Sequence, residues 1–342
     1  MPPPPTDSDM VPPIALVITA GGIDRLFGDP LWCLHPVQVM GKAISVLCQR
    51  VEAFAGDRPW ALRLGGVLIT LVLVTSSVLA GWSLEQLSLH SAFVLPLLVI
   101  GLASALAARS LRQGVLAVVQ ALPRPPQHDL AEARQRLSWI VGRDVTQLNE
   151  AEIVRAAAES ASENAVDGVF APLFWMLLGA GLWQINSSCP GPLALAWGFK
   201  AASTLDSMLG YRTGRLRWLG TAGARLDDLL TWLPCRLVML TLPLISRPWG
   251  QLINLVQAAE RDGSNDPSPN AGRSEAIYAH CVGISMGGAN RYGDRWVNKP
   301  LIAADQPPPD RASVETILRH TDQLQFTWIT TAVVLGMITP LG

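Results

Sequence analysis

In the stretch ESASENAVDG, Glu159, Glu163 and Asp167 recur at every fourth residue. A continuous helix would stack the three carboxylates on one face, where like charges repel. Solvent, cationic side chains or a divalent metal must offset that repulsion. Oxygen-only ligands suit Mg²⁺, which usually takes one or two carboxylates and completes its shell with water and substrate phosphate. A solvated acidic helix face is the plain alternative. The immediate run into apolar sequence at Val169 weakens it, because a wet face there must border a cavity.

A second group lies in STLDSMLGYR and RLRWLGTAGARLDDLL, with Asp206, Tyr211 and Arg212, then Arg215, Arg217, Arg225, Asp227 and Asp228. Arginine forks phosphate or carboxylate oxygens, and adjacent aspartates can hold a metal. Charge alone is equally served by a basic membrane-side loop paired with its own aspartates. The third group is DPSPNAGRSEA and MGGANRYGDRW, which supply Asn270, Gly272, Gly287, Gly288, Asn290 and Arg291. Gly lets a backbone approach a ligand, and Asn offers both donor and acceptor; simple turns use the same residues. No GxxxxGK[ST] phosphate loop occurs. Near the start, DRLFGDPLWCLHPVQVMGK places Asp24, Arg25, Asp29, His35 and Pro36 after an apolar run. His35 is a candidate ligand or proton carrier, set against a capped turn with an incidental histidine.

The elements that must position these groups are set by composition. Hydrophobic residues make up 49% of the 342 and charged residues 15%, and the mean hydropathy is positive, which selects the membrane class. Twelve Trp suit the headgroup level of a bilayer. A net charge of −1 offers no concentrated basic surface for nucleic acid. The five Cys never approach CxxC spacing, so neither a zinc knuckle nor a redox pair is indicated. The segment MPPPPTDSDMVPP lacks a basic start, and no removable signal peptide is expected.

About 20 apolar residues are needed to cross a bilayer as helix. The expected fold is all-α: one polytopic helical membrane domain over 1–342 with about four to six spans or re-entrant segments. Spans are predicted near 11–23, 64–84, 91–108, 169–185 and 324–341. Re-entrant or broken helices are predicted near 190–199 and 229–246, the latter because it holds Pro234, Arg236 and Pro243. Arg-rich polar segments at 109–168, 200–228 and 247–323 should share the cytoplasmic face by the positive-inside rule. Within them Ser138–Ser162 reads as helix, with a Thr146-x-x-Asn149 start. Asp262–Asn270 and Gln306–Asp310 read as loops.

Taken together, DRLFGDPLWCLHPVQVMGK, ESASENAVDGVFAPLFW, KAASTLDSMLGYR, RWLGTAGARLDDLLTWLP, DPSPNAGRSEA and GGANRY resemble the adenosylcobinamide-phosphate synthase family of cobalamin biosynthesis, the CobD/CbiB family. The six motifs stand in family order from Asp24 to Tyr292. Departures are local: Arg273-Ser274 replaces a common Trp-Pro pair, Ala289 a common Pro, and Ser203 a common Asn.

The resemblance implies a ligase that forms a carbon–nitrogen amide bond. The propionate carboxylate of adenosylcobyric acid, a corrinoid, would join (R)-1-amino-2-propanol or its O-phosphate, with ATP as co-substrate and Mg²⁺ as cofactor. On this reading Glu159, Glu163, Asp167, Asp206, Asp227 and Asp228 serve metal, nucleotide phosphate and catalysis. Arg212 and Arg225 hold phosphate or carboxylate, while Asn164, Tyr211, Asn270, Asn290 and Arg291 bind substrate. The base that deprotonates the amine is His35 or a carboxylate. The acidic groups at Glu159–Asp167 and Asp206–Asp228 are expected to face each other at the cytoplasmic edge of the cell (inner) membrane. The implied partners are the lipid bilayer and the three substrates, with a homo-oligomer or a complex with other cobalamin-pathway membrane enzymes left open, and no nucleic acid.

Two other classes stay open on residues alone. An intramembrane prenyl- or phospho-alcohol transferase would bind Mg²⁺-diphosphate at aspartate motifs, but it should show two DxxxD-type motifs, and ARLDDLL supplies only a short one. A non-catalytic membrane sensor or transporter would line an ion path with acids, whereas these acids fall mainly in polar segments.

Overall fold

A computed structural model describes residues 11–28, 35–123, 129–211, 213–292 and 295–338. In chain order its helices are α1 (Pro13–Phe27), α2 (Pro36–Ala55), α3 (Pro59–His90), α4 (Leu95–Ala103), α5 (Ala108–Ala121), α6 (Ala131–Leu137), α7 (Glu150–Ala165), α8 (Ala171–Ile185), α9 (Pro192–Leu209), α10 (Leu216–Leu219), α11 (Thr221–Ser246), α12 (Leu252–Gly263), α13 (Ala271–Val282) and α14 (Arg311–Ile338). A hairpin of β1 (Met286–Tyr292) and β2 (Arg295–Ile302) stands between α13 and α14. The chain is an all-α polytopic membrane protein, 77% helical.

Among the described residues, four helical stretches are long and apolar enough to cross a membrane: Pro59–His90, Ala92–Ala121, Glu150–Ile185 and Thr221–Ser246. The first three contain the spans predicted at 64–84, 91–108 and 169–185. The fourth differs from expectation, because α11 is one 26-residue helix through both Pro234 and Pro243. Proline at 234 has no N–H to give the carbonyl of Leu230. Trp175 Nε1 donates to that oxygen instead, at 3.1 Å, so the acceptor released by Pro234 is matched. The return predicted at 190–199 is also longer, running as α9 to Leu209. The segment predicted at 11–23 forms α1, whose 15 residues rise only about 22 Å. The one predicted at 324–341 begins inside α14 and ends outside the described residues.

Two compact units group these elements. One holds 1–107, 171–230 and 329–342, the other 108–170 and 231–328. In the first, α3 and α9 approach so closely that a side chain at Gly81 would stand 2.7 Å from the Cα of Ala194; small residues permit this helix contact in a membrane. Glu85, also on α3, is fully buried and accepts from the backbone N–H groups of Gly191, Leu193 and Ala194 at 2.8, 2.6 and 3.0 Å. These are the otherwise orphaned donors at the start of α9, and an anion is favoured there.

The second unit packs around buried Val118, Leu137, Ile153, Phe170, Ile277 and Val314. Its helix α7 starts later than the sequence suggests. Asn149 is the N-cap, in a reciprocal capping box with Glu152. Thr146 instead closes a turn on Asp144, whose Oδ1 accepts from its N–H and hydroxyl at 2.9 and 2.7 Å. Residues 138–148 are therefore not part of the helix. After Ala165 the chain widens into a π-turn over Val166–Phe170. One residue more per turn rotates Asp167 off the face that Glu159 and Glu163 share in α-helical register. The stretch MGGANRY, read from sequence as a turn, is a strand paired antiparallel with β2, placing Gly288 opposite Lys299 and Asn290 opposite Val297.

Candidate functional site

In the second unit a buried polar cluster forms where α7 meets β1. Glu159, 1% exposed, accepts from Arg143 through Oε2 and from the backbone N–H of Gly287 at 2.9 Å through Oε1. Both of its oxygens are thus engaged within the protein. Arg143 also donates to Asn290 Oδ1. Arg155 donates to the carbonyls of Gly287 and Ala289, and reaches Asn290 Oδ1 at 3.4 Å. The close approach depends on two glycines. Gly287 and Gly288 stand at φ +88° and +93°, and a Cβ on Gly288 would lie 2.7 Å from Arg155 Nη1.

These contacts fix the carboxamide of Asn290, because two arginines on one atom make it the oxygen. Its Nδ2 then remains a donor without a partner on a side chain 2% exposed. A buried polar atom left unmatched calls for an explanation, and a polar ligand is one.

Beside this cluster α13 and β2 bring Glu275 against Lys299 at 2.8 Å, with Asp266 3.9 Å from the same ammonium. Glu275 is 1% exposed, and its Oε2 has no partner. Burial, opposed by Lys299 and reinforced by the charges of Glu163 and Glu159, pushes its carboxyl up to about 8. Burial lowers Lys299, but Glu275 and Glu163 outweigh it and hold the ammonium above its ordinary range. Glu163, half-buried, belongs to this charge set. Asn270 Oδ1 accepts from Arg236 at 2.9 Å, and Ser274 Oγ donates to the carbonyl of Ser162 at 2.5 Å. Arg273, in place of the family's usual Trp, forks Glu260 at 2.7 and 2.5 Å.

The remaining predicted residues are placed as follows. Asn164 is exposed and donates back to Ser160 at 2.8 Å. Arg291 lies 3.6 Å from Asp144. In the first unit Asp206, Asp227 and Asp228 are half-buried and feel one another's charge, with Lys200 opposing. Tyr211 and Arg225 are exposed. His35 Nδ1 accepts from the N–H of Val37 at 3.3 Å and so caps α2. Arg212 and Asp29 lie outside the described residues.

The two predicted acidic groups thus divide, with Glu159, Glu163 and Asp167 in one unit and Asp206, Asp227 and Asp228 in the other. No three His, Cys, Asp or Glu side chains among the described residues converge as a closed metal site. An open magnesium site requires only one or two carboxylates, with water and phosphate oxygens completing the shell. One or two of Asp206, Asp227 and Asp228, which feel one another's charge, would suit that oxygen-only chemistry. Glu159, with both oxygens taken, fits it less well.

Arg143, Arg155, Glu275 and Lys299 did not stand out in sequence. Both arginines read as loop charge, and Glu275 sat inside a quoted motif with no partner visible. The adjacent glycines of MGGANRY were the one local sign that something must approach that backbone.

Comparison with known proteins places the chain in a family. The sequence model described as CobD/Cbib protein matches residues 17–321. The chain is 40% identical over 326 residues to "Cobalamin biosynthesis protein CobD" of Synechocystis sp., covering 94% of this chain and 92% of that one. It is 40% identical over 303 residues to the protein of the same name from Geobacter metallireducens, with 86% and 88% covered. To "Cobalamin biosynthesis protein CbiB" of Salmonella typhimurium it is 36% identical over 324 residues, with 92% and 93% covered. No solved structure matches.

Proposed function

Because this chain belongs to the CobD/CbiB family, we propose that it is the amide-forming enzyme of cobalamin biosynthesis, an ATP-dependent ligase in the cell membrane. Its substrates on this reading are adenosylcobyric acid and (R)-1-amino-2-propanol or its O-phosphate. The observation that carries the pathway is the match, over nearly the whole chain, to proteins named for cobalamin biosynthesis. The buried donor of Asn290 and the buried acceptor of Glu275 support a polar, charged substrate beside α7 and the hairpin.

A carboxylate is a poor acyl acceptor until it is activated. Phosphoryl transfer from ATP gives an acyl phosphate and ADP; the neutral amine then attacks the carbonyl, the C–N bond forms, inorganic phosphate leaves, and the nitrogen gives up a proton. The protein's share is positioning and charge stabilisation. Arg143 and Arg155 hold Asn290 so that Nδ2 can donate to an oxygen of the corrinoid carboxylate, where negative charge concentrates. Glu159 keeps Arg143 and the Gly287 backbone in place. Asn270, fixed by Arg236, and Arg291 also bind substrate. Asp206, Asp227 and Asp228 would hold magnesium, which supplies charge neutralisation at the nucleotide phosphates, and Arg225 would pair with phosphate oxygens. The Arg-rich segments favour a cytoplasmic location for this chemistry, where ATP is available.

Phosphate release from ATP by the detergent-purified protein tests the reading. It should appear only when a corrinoid carboxylate is present. Release that is indifferent to the corrinoid, or none with any combination of substrates, would rule the ligase out in favour of a transferase or a non-catalytic protein.

A further inference from the structure

Lined by Asp262, Asp266, Gly272, Glu275, Lys299, Pro300 and Ile302, a shallow cleft of about 10 Å³, room for one water- or ammonium-sized group, opens in the second unit, outside the candidate spans. Three carboxylates face one lysine there. Asp262 is already matched: its Oδ2 accepts from the N–H of Ala303 at 3.0 Å and lies 2.9 Å from His280 Nε2. Asp266 gives Oδ1 to the N–H of Ser268 at 2.8 Å and leaves Oδ2 3.9 Å from Lys299, beyond hydrogen-bond reach. Glu275 gives Oε1 to Lys299 and nothing to Oε2. Among the described residues, two carboxylate oxygens of this cleft are therefore without a donor at bonding distance, and one of them is on a side chain 1% exposed.

A small cation that brings hydrogens would match both oxygens. Lys299 shows which kind, since its own ammonium makes the contact that Glu275 accepts. We infer that this cleft is the amine subsite, in which Glu275 and Asp266 bind the ammonium of a primary alkylamine substrate before it reaches the acyl carbon. The assignment rests on the amide-forming reading and adds to it the residues that choose the nucleophile. A purely structural role is the competing account: Glu275 would then serve only as counter-ion to Lys299.

The two accounts separate in a double variant. Glu275→Gln alone leaves a buried lysine with a neutral partner at every pH, and any change in Tm is common to both accounts. Glu275→Gln with Lys299→Met removes both charges and should restore Tm. If the cleft binds the amine, the double variant raises KM for aminopropanol, or for its phosphate, about 10- to 100-fold, as expected for loss of a charge-assisted hydrogen bond. KM for ATP and for the corrinoid should stay within about twofold of wild type on the same argument. Asp266→Asn, at the more open side of the cleft, should raise the amine KM with little change in Tm.

A third arm uses the wild-type protein and does not depend on any variant folding. Carbodiimide coupling of isotope-labelled aminopropanol, mapped by mass spectrometry, should place the label on Glu275 or Asp266. An amine KM within twofold of wild type in whichever variants fold, or label found only at other carboxylates, overturns the assignment while leaving the ligase reading intact. Absence of amide product from wild type itself is the separate result that defeats that reading.

Discussion

Asn290 is held by its oxygen and offers its nitrogen, and this asymmetry can be tested by a change of one atom. Aspartate in its place still accepts from Arg143 and Arg155 but cannot donate. Asn290→Asp is expected to keep or raise Tm while lowering kcat about 100-fold, the usual cost of losing a donor aimed at developing negative charge. A variant with wild-type turnover would show that Nδ2 meets no substrate. Glu275 gives a second prediction, in pH. Its carboxyl is raised to about 8 in the folded chain, against ~4.3 unfolded. Such a group favours the folded state most fully below the unfolded value, and its contribution is lost as pH rises through the folded one. Wild-type Tm should therefore decline between about pH 4.5 and pH 8, and Glu275→Gln should flatten that decline. An equal slope in both proteins would place the titration elsewhere. Sequence revealed some of this and hid the rest for a physical reason. Asn290, Asn270 and Glu163 were legible because their types stand out in motifs. Arg143 lies 147 positions from Asn290 in the chain, and no local pattern announces a contact of that range.

At the scale of elements, apolar length alone located α3, the stretch from Ala92 and α8, since crossing a bilayer is a requirement on composition. It misjudged α11, because the release of the Leu230 carbonyl by Pro234 looks like a break until Trp175 is known to take it. It also missed the π-turn after Ala165, since hydrophobic spacing through Val166–Phe170 reads the same for either winding. Two element-scale predictions follow from named contacts. Glu85→Leu would leave three N–H groups at the start of α9 unmatched in an apolar setting, each costing about 1–3 kcal/mol. The variant should lose yield or Tm far more than Glu85→Gln, which keeps an acceptor; equal behaviour of the two would remove the helix-anchoring role. In the hairpin, Gly288→Ala meets both a positive φ and Arg155. Destabilisation of about 1–3 kcal/mol is expected in denaturant unfolding, and a neutral result would mean that the strand does not hold this backbone.

Across the whole molecule, the chain combines membrane-spanning helices with buried polar groups that a polar ligand would satisfy. The first unit holds one of its buried acids, Glu85, on a helix terminus. The second keeps Glu159 on an arginine and Glu275 on a lysine, with one carboxylate oxygen and one amide donor to spare. On the proposed function, that surplus is where substrate would bind. The most direct measurement is to incubate the detergent-purified protein with adenosylcobyric acid, ATP, Mg²⁺ and aminopropanol phosphate, and to look by mass spectrometry for the condensed amide. The ligase account predicts that product with the phosphorylated or the free amine, and none when ATP is omitted. Failure to form it with either amine would contradict the account.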